Sequence, residues 1–152
     1  MSNLSRFMKN NKIQKKNEEY APTKSMLGSD GKPLRWEFKH ISSKLNESIR
    51  DDCTIDVQVK GKPNMYRPKL NTSKYLVSMI VASTVTPDLY NKELQDSYGV
   101  KKPEDLVYEM VDDLGEYQDL CTWVQDFQGF SDSLDDNGLD ETMNDKVEEA
   151  KN

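Results

Sequence analysis

NTSKYLVSMIVASTV, residues 71–85, contains the longest apolar-rich run of the chain. Its hydrophobic side chains fall almost all the way round a helix of 3.6 residues per turn, which predicts a helix covered on most sides by the rest of the molecule. Asn71, Thr72 or Ser73 can cap its start, because each offers a side-chain oxygen to the unpaired amides of a first helical turn. Pro87 stops it. From Tyr75 to Val85 the run is broken by Ser and Thr and is shorter than the ~20 apolar residues that cross a bilayer, so it reads as the centre of a core.

Beyond this helix the pattern stays helical. A short helix is expected over roughly Lys92 to Tyr98, ended by Gly99 in the left-handed conformation. Pro103 starts the next, with Glu104 and Asp105 in its first turn complementing the helix dipole. Its buried stripe is Leu106, Val107, Met110 and Val111. Asp113 and Glu116 have the spacing of a capping box for a last helix, whose Tyr117, Leu120, Cys121, Val124 and Phe127 share a face.

Before residue 71 the period is mostly two. Asp30-Gly31 within LGSDGKP (27–33) is a hairpin signal. Leu34, Trp36 and Phe38 alternate with Arg35, Glu37 and Lys39, as do Ile55, Val57 and Val59 with Asp56, Gln58 and Lys60, which predicts half-buried strands. GKPN turns the chain into MYRPKL, where Pro68 marks an edge strand. Between the two strand regions, Ser43 can cap a helix with Leu45, Ile49 and Cys53 on one side. The class is therefore α+β: a small antiparallel sheet in the N-terminal half and a helical bundle in the C-terminal half.

The 152 residues suit one domain with a modest core. Net charge is −6, unevenly spread: residues 1–24 carry a local +4 and residues 131–152 a local −6. The expected organisation is a mobile basic arm over 1–18, a domain over 19–130 and an acidic, disordered tail over 131–152. In the arm, Leu4, Phe7, Met8 and Ile13 permit a short amphipathic helix that docks on a partner or on another copy. Nucleic acid is not the expected partner, since the molecule is acidic overall and Phe7 and Tyr20 are too few for base stacking. MSNLSRFMKNNKIQKK (1–16) contains no apolar h-region, so no signal peptide is expected, and a soluble, intracellular protein is expected. Cys53 and Cys121 read as small buried hydrophobes.

Little points to chemistry. His40 is the only histidine, so the usual general base is nearly absent. The pairs Asp51-Asp52 and Asp112-Asp113 are adjacent, and adjacent helical residues diverge instead of converging on a substrate. In SDSLDDNGLDETMN (131–144), Gly138, Asp135 and Asn137 match positions 6, 3 and 5 of a calcium loop. Positions 1 and 12, however, are Ser133 and Asn144, which removes two of the strongest ligands. Neither catalysis nor a metal or other cofactor is expected. Candidate contact residues are aromatic and apolar instead: Tyr90 and Tyr98 at loops or helix ends, Leu94 beside them, and Trp123, which lies off the apolar stripe of the last helix.

Three strings, LSRFMKNNKIQKKNEEYAPTKSML, DGKPLRWEFKHISSKLNESIRDDCT and LNTSKYLVSMIVASTVTPDLYNKELQDSYGVKKPEDLVYEMVDDLGEYQDL, resemble the XkdN-like tail assembly chaperones of long-tailed bacteriophages and prophages. PDLYNKELQDSYGV and LGEYQDL carry the likeness best, and it ends near Phe130. It implies a non-enzymatic protein of the host bacterial cytoplasm, absent from the mature virion, that keeps the helical tape measure protein soluble and helps bring tail tube subunits to it. The contact surface expected for such a protein is Leu4, Phe7, Met8 and Ile13 on the arm with Tyr90, Leu94, Tyr98 and Trp123 on the helical half, and self-association through the arm is a further expectation. Alanine at Phe7 or Trp123 is expected to weaken binding without unfolding the domain. The resemblance also implies a longer frameshifted form, since Ala150-Lys151-Asn152 can be encoded by a slippery heptamer. The alternatives are an acidic protein-binding adaptor and a DNA-mimicking inhibitor of a host enzyme.

Overall fold

The computed structural model of the chain describes residues 3–130. The calcium-like loop, the acidic tail and the proposed slip site lie outside the described residues. Two short 3₁₀ turns, Asn3–Phe7 and Lys9–Asn11, come first, where the spacing permits but does not demand an amphipathic helix. They are followed by β1 (Glu18–Tyr20), β2 (Trp36–Phe38), α1 (Ser43–Asp52), β3 (Thr54–Gln58), β4 (Tyr66–Leu70), α2 (Thr72–Ser83), β5 (Thr84–Thr86), α3 (Lys92–Ser97), α4 (Pro103–Met110) and α5 (Leu114–Phe127). The class is α+β as the periodicities imply.

Helix α2 is the hub. Asn71 caps it, its side-chain oxygen accepting from the Lys74 amide at 3.2 Å. Tyr75, Val77, Met79, Ile80, Val81 and Ser83 are buried, and α1, α4 and α5 all pack on it. Fully burying an aliphatic or aromatic side chain of this kind contributes about 1.5–3 kcal/mol, so a helix covered on several sides holds the domain together. Two hydroxyls finish it: Ser83 Oγ donates to Met79 O and Thr84 Oγ1 to Ile80 O, each at 2.7 Å. At the edge of the core, the Tyr75 hydroxyl donates to Asn46 Oδ1 of α1.

Immediately after α2 the chain becomes β5 and joins a three-stranded antiparallel sheet of order β1-β2-β5. Neither β1 nor β5 was expected from the pattern. Glu37 pairs with Thr86 and Phe38 with Thr84, which leaves Val85 as the extra residue of a bulge. Central β2 turns Trp36 and Phe38 fully inward, whereas Leu34, placed on the same stripe by the sequence, is exposed.

The expected single sheet is in fact two. Strands β3 and β4 form a separate two-stranded hairpin, in which Ile55 faces Lys69 and Val57 faces Arg67. The alternation thus belongs to a hairpin that stands outside the core, with Ile55 exposed and Val57 half-buried. Gly61, at φ 80°, supplies the positive φ that turns the hairpin.

The cap of α1 is Ser42, one residue earlier than the Ser43 reading, and its Oγ accepts from the Leu45 amide at 3.0 Å. On that helix's expected face Leu45 is exposed and Ile49 half-buried, with only Cys53 buried. Three sequence signals sit where they were read: Gly99 follows α3 at φ 71°, Pro103 begins α4 and Asp113 Oδ2 accepts from the Glu116 amide at the start of α5 at 3.0 Å; Asn91, not named from the sequence, caps α3. The capping box is not reciprocal, however. The Glu116 carboxylate instead accepts from Thr23 Oγ1 and from the Lys24 amide, both at 2.8 Å, and so ties the loop after β1 to α5.

Candidate partner-binding surface

The structure divides the eight candidate residues into two groups. Leu4, Phe7, Met8 and Ile13 sit in or beside the turns that precede β1, and Phe7 and Ile13 are 84% and 90% exposed. These residues are joined to the domain through β1, which pairs with β2. Asn17 Nδ2 donates to Glu37 Oε2 at 3.0 Å just before the strand starts. Tyr90 is likewise exposed at 69% and stands at the rim of a cleft of about 560 Å³ between α1, α2 and α4, whose walls include Leu45, Ile49, Val81 and Ala82. That cleft is not legible in the sequence, because it lies between helices distant along the chain.

Leu94, Tyr98 and Trp123 are half-buried against the core. The Tyr98 hydroxyl rests 3.7 Å from Met26 Sδ. Trp123 is held on three sides: it stacks on Tyr20 at 4.7 Å and on Phe127 at 5.0 Å, and meets Phe38 at a tilt at 4.9 Å. What seemed a side chain off the stripe is on a second contact face, because α5 packs on α2 with one side and on the sheet with another. Alanine at Trp123 therefore removes packing around Phe38, and the expectation that it would spare the domain does not hold on this geometry. His40, beside this cluster, stacks on Phe127 at 4.0 Å, and its buried Nδ1 has no hydrogen-bond partner among the described residues.

At its C-terminal end α5 is held to the sheet by one side chain that sequence reasoning missed. Gln128 Nε2 donates to Lys39 O at 2.9 Å and to Ser83 Oγ at 2.8 Å, while its Oε1 accepts from the Ile41 amide at 3.1 Å. The Phe130 amide then returns to Gln125 O at 2.9 Å.

The two thiols are buried, Cys53 at 1% and Cys121 at 8% exposure. Burial pushes the Cys121 thiol above its ordinary value, against a smaller opposing effect of its hydrogen bond with Tyr117. Neither has the electropositive, accessible setting of a nucleophile. Near neutral pH, Ellman's reagent should label the native protein at least about a hundredfold more slowly than the unfolded chain. Stoichiometric labelling within minutes would show that the thiols are accessible. Among the described residues no group of three or more His, Cys, Asp or Glu is placed to hold a metal ion. Among the same residues no helix is long and apolar enough to cross a membrane.

Comparison with known proteins places this arrangement. Over 133 residues the chain is 25% identical to the uncharacterized protein YqbN of Bacillus subtilis (strain 168), covering 88% of each chain. It is 23% identical, over the same length and coverage, to the phage-like element PBSX protein XkdN of the same strain. The crystal structure of the protein YqbN superposes with a TM-score of 0.70 at 20% identity, covering 85% of this chain and 98% of that one, which establishes a shared fold. The profile of the phage XkdN-like tail assembly chaperone proteins matches residues 4–151. Since that match spans nearly its whole length, the chain belongs to the phage XkdN-like tail assembly chaperone family.

Proposed function

We propose that this protein binds the tape measure protein of its phage or prophage, keeps it soluble in the host cytoplasm, helps bring tail tube subunits to it, and is absent from the finished tail. The observation that carries the reading is the set of apolar side chains left in solvent by a chain of this family, led by Phe7 and Ile13 on the basic arm and Tyr90 on the helical half. A long helical client needs its apolar stripes covered until it assembles. A charged carrier presenting a few exposed apolar anchors can cover them and stay in solution itself.

Co-expression with the tape measure protein encoded nearby tests this. The tape measure protein is expected in the soluble fraction, and in the eluate of a tagged copy of this chain, only when the two are made together. Alanine at Phe7, Ile13 or Tyr90 should leave the melting temperature in place and weaken binding by about tenfold each, the usual loss for an interfacial anchor. Unchanged solubility with nothing co-purifying would overturn the reading.

A further inference from the structure

A second groove lies between α2, α4 and the start of α5. It has a volume of about 350 Å³, and its walls include Leu76, Tyr108, Val111, Leu114 and Tyr117, with Asp112 among its lining residues. Leu114 is 70% exposed and Tyr108 is 42% exposed. Tyr108 is held over Tyr117 at a ring distance of 5.0 Å. Nothing in the core requires an apolar residue at Leu114, because Asp113 already caps the helix that it begins. The two helices that supply most of its walls are acidic: residues 103–130 contain eight Asp or Glu and no Lys or Arg, and Asp112 lines the groove itself.

The same chain carries the complement of this surface. Residues 3–17 hold five Lys or Arg and no acid, and their Leu4, Phe7, Met8 and Ile13 are all exposed. Apolar residues matched to an apolar groove, and a basic segment matched to a pair of acidic helices, provide both a driving force and an orientation.

We propose that the arm of one copy docks in the α4–α5 groove of a second copy, its apolar side chains entering beside Tyr108 and Leu114 and its lysines facing Asp112 and the acidic helices that carry it. The two contacting surfaces differ, so such contacts either close on themselves, as in an exchanged pair, or extend from copy to copy. The proposal does not depend on the tape measure protein and is tested with this chain alone.

Sedimentation of the full-length protein over a range of concentrations should show reversible self-association that weakens as salt rises toward ~0.5 M, where opposite charges are screened. Phe7→Ala combined with Ile13→Ala on the arm, and Leu114→Lys on the groove, should each raise the dissociation constant by at least about tenfold. The decisive step is to mix the two variants. The arm variant keeps an intact groove and the groove variant an intact arm, so the mixture should recover a 1:1 complex that neither forms alone. Circular dichroism checks that each variant is folded, and Asp112→Lys replaces Leu114→Lys if the latter melts early. A wild-type protein that stays monomeric throughout, variants that associate as wild type does, or a mixture that recovers nothing would each overturn the proposal.

Discussion

Phe38→Ala should lower the free energy of unfolding by about 3–5 kcal/mol, the usual cost of removing a fully buried phenylalanine. Its ring is 0% exposed, on the middle strand of the three-stranded sheet, 4.9 Å from Trp123 and 6.3 Å from Trp36. The truncation leaves a cavity where the sheet meets α5. Because a domain of ordinary size has only about 5–15 kcal/mol in hand, much of its stability should go with this one side chain. Urea unfolding followed by tryptophan fluorescence measures the loss and tests the geometry as well, since both tryptophans border the cavity and their emission should shift to the red. A loss below about 1 kcal/mol would mean that the sheet is not part of the core.

Gln128→Ala should cost about 2 kcal/mol, more than one hydrogen bond usually contributes, because it strands several partners at once. The side chain gives both donor bonds to Lys39 O and Ser83 Oγ and takes the Ile41 amide. Gln128→Glu separates the contributions: a carboxylate can still accept from Ile41 but cannot donate to the other two. Denaturant titration of the two variants should rank alanine as the more destabilised, and amide exchange should be faster at Ile41 in the alanine variant than in the glutamate variant. Equal exchange rates would show that the Ile41 contact contributes nothing.

What the sequence made legible was local. Asn71 and Asp113 announce their helices because a cap acts on amides two or three residues away, and Pro103 because its fixed φ and missing N–H suit a first helical position. Elements that depend on distant partners were hidden. β5 follows α2 without a break, and only its pairing with Glu37 and Phe38 makes Thr84–Thr86 a strand. Glu116 has capping-box spacing but is drawn to Thr23 and Lys24, more than ninety positions earlier. The same holds for the candidate surface. Exposure at Phe7, Ile13 and Tyr90 agrees with a reading of apolar residues in a polar or loop setting. Trp123 could not be placed without knowing that α5 touches both α2 and the sheet, and the groove at Leu114 exists only once α2, α4 and α5 are brought together.

The β3–β4 hairpin stands apart from the larger sheet, with five paired positions between its base at Leu70 and its turn around Gly61. Only Cys53 and Leu70, at its base, belong to the core. Its tip is accordingly a mast: a dye, an affinity tag or a short foreign loop spliced between Gly61 and Asn64 would leave the packed core untouched, and assembly could then be watched by fluorescence.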